Sequence, residues 1–447
     1  MHIPNNYIGR YFYHFSHTDN LDSIIGHGGL LSTNEKNRRR IGHHNIANMD
    51  IQNRRHRTSV PIGNGGGIHD YVPFYFASTN PMLLGLINRK VIDQTCIFFI
   101  IVSINRLLDQ NVVFTDAAAN ADNPPHFYDD PADLDNLRWD LIDSKRWGER
   151  SSEERALRMA EVLVYKKVPL EWIEGFVVFD QVCADYISNR YEAHGLTAPP
   201  IYINWFNDSP FFFRKFFFPD RKNETLVTGP LELYQKFQSV IDEIITRRTI
   251  YCSPNAQFAD IADALGKIEN NFCIIPELSG IYHLKTDNIV HSQTVSDHTL
   301  AVVGSLQAMK YYDNINDADR NILRLSAYLH DIGKGPKEKW ENIIQPAYPD
   351  HPADAIPMLA RILSEEFTDI SDDEIRKICL LVIYHDLMGD IIACGRDVHE
   401  LIDLNCNANE LHLLAILSLA DVRTLDVLWY ISVNSRIEQL INEVIRN

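Results

Sequence analysis

Near residue 230 the hydrophobic pattern changes period, and the two sides of that change cannot share one architecture. Downstream, Leu233, Phe237, Val240, Ile241 and Ile244 fall at helical spacing, and almost everything that follows reads as helix. Upstream, apolar residues gather in short β-rich runs at 10–16, 69–78, 95–104, 161–168, 172–179 and 200–206. The run at 95–104 is continuous, which suits a strand buried on both faces. Short helices are predicted at 19–28, closed by Gly28 and Gly29, and at 81–90, while residues 116–135 read as a polar, proline-containing loop. The pattern predicts an α+β domain over 1–212, a helical connector over 213–282 and an all-α domain over 283–447.

A chain of 447 residues has room for two or three cores. Its 45% hydrophobic and 23% charged residues exclude disorder or a fibrous repeat as a description of the whole. The longest apolar run, CIFFIIVSI at 96–104, is far short of the roughly 20 residues that span a bilayer. The opening MHIPNNYIGR lacks the apolar segment of a signal peptide. Seven scattered cysteines without a CxxC indicate neither a disulfide framework nor a zinc ribbon. A cytoplasmic protein without a membrane partner is expected.

The formal charge is −18, yet residues 36–57 hold seven cations (Lys36, Arg38, Arg39, Arg40, Arg54, Arg55, Arg57) and one acid, Asp50. Such an island is either a landing site for phosphates or a solvated loop that balances local acids. The run FFFRKFFF at 211–218 marks the junction and is expected to be a buried inter-domain wedge, because six phenylalanines are costly to expose.

The first half carries four blocks in order. They are YHFSH at 13–17 followed by Asn20-Leu21 and GGLLS at 28–32; the basic island; HDYVPFYF at 69–76 with Asn80-Pro81-Met82-Leu83; and RMAEVLVY at 158–165. Over roughly residues 10–210 this order resembles the DarT family, DNA ADP-ribosyltransferases of bacterial toxin–antitoxin systems. The resemblance implies a split-sheet ADP-ribosyltransferase fold, NAD⁺ as co-substrate and a base in single-stranded DNA as acceptor. It also implies a catalytic role for Glu161, whose carboxylate would stabilise the positive charge that develops on the ribose as the nicotinamide bond breaks. His14 matches the position that grips the nicotinamide–ribose half of NAD⁺, and Ser16 would add a hydroxyl contact. The family's arginine falls on Arg55, with Arg54 as the alternative register; its guanidinium would clamp the NAD⁺ phosphates or steady the target base. Tyr71 and Tyr75 either shape the cleft or belong to the core.

The second half carries His298, His330-Asp331, His351, His385 and Asp421, the H…HD…D order of the HD superfamily of metal-dependent phosphohydrolases. HSQTVSDHTL at 291–300, LHDIGKG at 329–335, HDLM at 385–388 and Arg396-Asp397 narrow the resemblance to the uridylyl-removing HD domain of nitrogen-regulatory uridylyltransferases, over about 283–430. Imidazoles mixed with carboxylates suit a divalent ion that lowers the pKa of a bound water and neutralises phosphate oxygens. The resemblance implies that His298, His330, Asp331 and Asp421 hold one metal and that His351, expected in a loop, and His385 build a second site. Such donors do not separate Mn, Fe, Co, Ni, Zn or Mg. Lys334 either reaches a substrate phosphate or is a solvated helix-end lysine; His399 and His412 are expected to be structural.

The sequence thus predicts a two-headed enzyme of toxin or anti-phage type. One head would move ADP-ribose from NAD⁺ onto single-stranded DNA. The other, an HD phosphohydrolase acting on the adduct or on a free nucleotide, would limit or trim the product. The rivals are transfer onto RNA or protein, and a silent NAD⁺ sensor that controls the HD half.

Overall fold

The structure, a computed structural model, describes residues 1–44, 55–119, 121, 123–145, 151–214, 227–250, 256–287, 293–346 and 348–446. Arg54, Phe216–Phe218 and His291 lie outside the described residues. The chain forms two compact units, one of residues 1–87 and 92–226, the other of 88–91 and 227–447.

The first unit is built on an eight-stranded sheet. Its strands are β1 (Tyr11–His17), β3 (Tyr71–Tyr75), β4 (Ile97–Ser103), β5 (Val112–Thr115), β6 (Phe127–Tyr128), β7 (Glu161–Tyr165), β9 (Gly175–Val178) and β10 (Ile201–Ile203), in the order β10-β9-β4-β1-β3-β7-β5-β6. A separate ribbon pairs β2 (Gly29–Leu31) with β8 (Lys167–Pro169). The strand expected at 95–104 is β4, fully buried over Ile97–Val102 between β1 and β9. The loop expected over 116–135 in fact contains β6, whose two residues are too short a signal to read in sequence.

β1 and β4 pair along their whole length, from Tyr11↔Ser103 to His17↔Ile97. β1 and β3 share a single register pair, Tyr13↔Tyr75, and then part. Pro73 supplies a reason. It has no N–H to donate across the gap, and its carbonyl is taken by the His14 ring nitrogen Nδ1 at 2.7 Å rather than by backbone. One sheet face packs Phe12, Phe74, Phe98, Ile100, Phe114, Val162 and Phe176 into a continuous core, closed by Ile187 and Tyr191 of the helix Gln181–Ala193. The described part of the phenylalanine run packs on the sheet of the first unit. Phe211 packs edge-on to Tyr13 and Phe99, and Phe212 edge-on to Phe99 and Phe179, all within the first unit.

Among its described residues the second unit is helical, apart from a two-stranded parallel ribbon of Lys285–Asp287 with Ile344–Pro346 and an isolated bridge of Phe258 with Phe367. Residues 227–282, expected as a connector, contribute the helices Pro230–Ile250, Ile261–Asn270 and Pro276–Ile281 to this unit. Its centre is the helix Ala408–Leu425, buried without interruption from Leu413 to Val422. Ser371 with Glu374 and Asn407 with Glu410 form capping boxes that start two of the long helices. No helix among the described residues is long and apolar enough to cross a membrane.

Candidate active sites

Glu161 opens β7 and is fully buried. Its carboxylate accepts both arms of the Arg55 guanidinium, at 2.9 and 3.0 Å, and the Ala119 backbone N–H at 3.0 Å. Its own N–H donates to Thr115 Oγ1 at 3.1 Å, which ties the strand end to β5. Tyr75 lies directly across β3 in register with Glu161, and its hydroxyl meets Met82 Sδ at 3.4 Å. Burial opposes the charge on Arg55, but the Glu161 carboxylate outweighs that cost and holds the guanidinium pKa above its ordinary value. The fork expected on phosphates is therefore committed to the carboxylate, since a fully buried acid needs a matching cation. Glu161 is thus also structural, a buried carboxylate that neutralises a buried arginine.

His14 stands at the split between β1 and β3, and burial depresses its pKa to about 4, so the ring is neutral at neutral pH. Ser16, on the same strand, accepts a hydrogen bond from Asn20 Nδ2 at 3.0 Å. Asn20 also donates to the His44 carbonyl at 2.9 Å and accepts the His44 N–H at 2.8 Å, a tethering role that the motif Asn20-Leu21 did not reveal. Tyr71 belongs to the core: its ring is buried with Val60, Ile68 and Leu163, and its hydroxyl donates to the Gly65 carbonyl. The structure thus groups Arg55, Tyr75 and Glu161 in one cluster and His14, Ser16 and Asn20 beside the split.

In the second unit, His298 comes from the helix Val295–Ser305, His330 and Asp331 from the end of Asp317–Leu329, His385 from the end of Asp372–Tyr384, and Asp421 from the buried helix. His351 does not lie in a loop. It opens the helix His351–Glu365, a start obscured in sequence because Pro352 and Pro357 read as breakers, although proline is favoured in the first turn. The donors fall into two groups, His298, His330 and Asp421, and Asp331, His351 and His385. Asp331 stands between them, with Oδ2 at 3.4 Å from His330 and 3.7 Å from His298, and Oδ1 at 3.5 Å from His351.

The hydrogen bonds fit this set to metal ions. Nδ1 of His330 lies 2.8 Å from the Ala327 carbonyl, that of His385 2.9 Å from Val382, and that of His351 3.3 Å from Tyr348. Thr424 donates its hydroxyl proton to the Asp421 carbonyl and so accepts from His298 Nδ1 at 3.1 Å. Each ring therefore donates outward from Nδ1 and turns its Nε2 inward. Inside, Nε2 atoms of His298 and His330 lie 3.3 Å apart, those of His351 and His385 3.2 Å apart, and His298 Nε2 is 2.9 Å from Asp421 Oδ1. Acceptors crowded at such distances call for cations between them. Asp331 Oδ1, buried and without a hydrogen-bond partner, points to the same need. Burial pushes the His351 pKa down to about 3 and that of His385 below its usual value, which keeps both as neutral donors. Lys334 donates to Asp331 Oδ2 at 2.7 Å, so its ammonium sits on a donor carboxylate rather than free in solvent. His399 is an exposed helix-end residue paired with Asp397, and His412 stacks on Tyr311.

Gly333 makes the convergence sterically possible. A Cβ there would stand 1.9 Å from the His351 carbonyl oxygen and 2.7 Å from the Ala355 nitrogen. Gly333→Ala should therefore separate the segment bearing His330 and Asp331 from the helix bearing His351. We expect a loss of about 1–3 kcal/mol of stability and weakened metal retention, read by thermal unfolding and metal analysis.

Residues 13–209 match the family profile for DarT, described as ssDNA thymidine ADP-ribosyltransferase, and residues 295–424 match that of the HD domain. The chain is 34% identical over 174 residues to the DNA ADP-ribosyl transferase of Thermus sp. (strain 2.9), covering 38% of this chain and 81% of that protein. It is 31% identical over 202 residues to the DNA ADP-ribosyl transferase of Thermus aquaticus, covering 43% of this chain and 87% of the relative. Among solved structures it is similar to Thermus sp. 2.9 DarT in complex with ADP-ribosylated ssDNA, at 29% identity and a TM-score of 0.40, covering 45% of this chain and 96% of that one. With a split sheet that buries an arginine-bound glutamate at a strand end, and a helical unit that gathers the HD donors, the chain belongs to the DarT family and carries an HD domain in its second half.

Proposed function

We propose that this protein transfers ADP-ribose from NAD⁺ to thymidine in single-stranded DNA, as a cytoplasmic effector of toxin or anti-phage type, and that its HD half hydrolyses a phosphate linkage to limit the modification. The observation that carries the first activity is the buried Arg55–Glu161 pair, fixed by the Ala119 N–H and facing Tyr75. In the reaction the nicotinamide–ribose bond breaks, nicotinamide leaves with the bonding pair, and positive charge grows on the ribose until the base attacks. Glu161 offers a preorganised negative charge to that centre, and Arg55 and Ala119 hold the carboxylate in place. His14, neutral and anchored to Pro73, would orient the nicotinamide–ribose half beside Ser16.

The strand of DNA needs cations for its phosphates and flat rings for its bases. A cleft of about 840 Å³ in the first unit offers both, with the exposed Lys145 and Arg10, itself paired with Asp143, on its wall beside Tyr11 and the exposed Trp205. Trp205→Ala should weaken oligonucleotide binding by about 1–3 kcal/mol through loss of base stacking, with the NAD⁺ affinity unchanged; fluorescence anisotropy of a labelled oligonucleotide reads the first and a calorimetric NAD⁺ titration the second.

For the HD half, His298, His330 and Asp421 would hold one divalent ion and Asp331, His351 and His385 a second. Such ions, when bound, supply a low-pKa water and charge for phosphate oxygens. Lys334, held on Asp331, would meet a substrate phosphate at the edge of the donor set.

The deciding experiment incubates the full chain with NAD⁺ and oligonucleotides in which single bases are replaced, and reads adduct mass with and without Mn²⁺. An ADP-ribose adduct that disappears when thymidine is replaced is the expected result. Label on RNA or on protein, with DNA unmodified, would overturn the DNA assignment.

A further inference from the structure

The ladder between β5 and β7 runs through Val112↔Val164, Val113↔Leu163 and Phe114↔Val162 and then stops. At the next position the Glu161 N–H is taken by a side chain, Thr115 Oγ1, at 3.1 Å. Taking Glu161 as the charge that serves transfer, we propose that Thr115 is a positioning residue for that reaction. Its one hydroxyl holds Glu161 at both ends, directly at the backbone and, through the turn of Ala117–Ala119, at the carboxylate.

A hydroxyl has one proton to give and lone pairs with which to receive. Thr115 gives its proton to the Ala117 carbonyl at 2.7 Å, which leaves its oxygen to accept the Glu161 N–H. The side chain is fully buried, so water does not compete for either bond. The turn that follows has only methyl side chains, and Ala117, Ala118 and Ala119 are all buried. Backbone groups therefore set its course. The Ala117 carbonyl rests on Thr115, the Ala118 N–H donates to the Ala156 carbonyl at 2.9 Å, and the Ala119 N–H donates to Glu161 Oε1 at 3.0 Å. Asp116 closes the base of the same loop, accepting the His126 N–H at 3.0 Å with its side chain 2.8 Å from His126 Nδ1. Arg55 already takes both carboxylate oxygens, so the Ala119 N–H adds the third bond that stops the carboxylate from rocking on the guanidinium. Removal of the Thr115 hydroxyl loosens the backbone and the carboxylate of Glu161 together. A reacting group misplaced by about 1 Å can lose on the order of a hundredfold in rate. His14 and Ser16, assigned to NAD⁺, stand on β1, which β3 and β7 separate from β5. The loss should therefore fall on turnover and leave the hold on NAD⁺ alone.

The test measures transfer onto a thymidine-containing oligonucleotide by the full chain and its Thr115→Val, Thr115→Ala and Thr115→Ser variants. Valine keeps the shape and removes the hydroxyl. Alanine also leaves room for a water to meet the two buried groups, so a folded variant is at hand should unfolding curves show that valine is not tolerated. The expected result is a kcat roughly ten- to a hundredfold lower for Val and Ala, an unchanged KM for NAD⁺, and turnover restored by Ser. In a Glu161→Gln background, Thr115→Val should cost no further rate, because the charge it positions is gone. Native turnover in the folded Val or Ala variant overturns the proposal, as does a rise in KM that accounts for the loss or a defect that Ser leaves unrepaired. Native turnover in Glu161→Gln alone is a different failure: it removes the role of Glu161, and the proposal with it.

Discussion

Glu161→Gln should reduce ADP-ribose transfer by about two orders of magnitude or more, with a smaller loss of stability than Glu161→Ala. Glutamine preserves the volume at a fully buried position and keeps an oxygen for the Ala119 N–H and for one arm of Arg55. What it removes is the charge. Alanine removes the partner altogether and leaves a guanidinium that is itself buried with no counter-ion, a change that costs about 3–5 kcal/mol. A fall in activity for Ala alone would therefore mix chemistry with unfolding, whereas the Gln variant separates them. Adduct formation on a thymidine-containing oligonucleotide gives the rate, and thermal unfolding ranks the two variants. A Gln variant that modifies DNA at the parental rate would show that the carboxylate is not the charge that matters. Arg55→Lys adds a check on geometry: it keeps the cation but cannot reproduce two parallel hydrogen bonds to Glu161, so transfer should fall here too.

The period change near residue 230 and the apolar run of β4 were readable because each is a local pattern carried by consecutive side chains. The HD donors were readable for a related reason: His330-Asp331 and His385 each end a strongly periodic helix. The pairing of Arg55 with Glu161 was not readable, because it joins residues 106 positions apart and Arg54-Arg55 offers two registers. Nor does any side chain announce Ala119, which acts through its backbone N–H in a stretch that reads as loop. His351 was misplaced for a local reason, two prolines in a helix whose first turn tolerates the first of them. The split between β1 and β3 has a visible cause only once Pro73 and His14 are seen to face each other. Motif positions thus emerged from sequence, whereas the partners that orient them required the fold.

His330→Ala combined with Asp331→Ala should strip the HD unit of metal and abolish its hydrolysis, lowering turnover about a hundredfold or more, while transfer onto DNA in vitro continues. The double change strikes both donor groups at once, since His330 belongs to one, Asp331 to the other, and the Asp331 carboxylate stands between them. Loss of a buried carboxylate also frees Lys334 from its partner, so the metal-free unit should be tested for folding by its unfolding curve. The chemical reason to couple the two halves is the linkage that transfer creates. An ADP-ribose adduct contains a pyrophosphate, and water added at one phosphorus breaks the bridging P–O bond, releases AMP and leaves a phosphoribosyl group on the base. Restoring the bare base instead requires cleavage of a glycosidic bond, for which a set of imidazoles and carboxylates arranged for phosphate chemistry is poorly suited. Trimming is therefore the expected outcome, detectable as AMP release from modified oligonucleotide by the native chain and its absence in the double variant. In cells the double variant should raise full-length adduct levels and toxicity at matched expression. Equal adduct levels and equal toxicity would disconnect the HD half from the adduct and leave it a separate effector or a sensor.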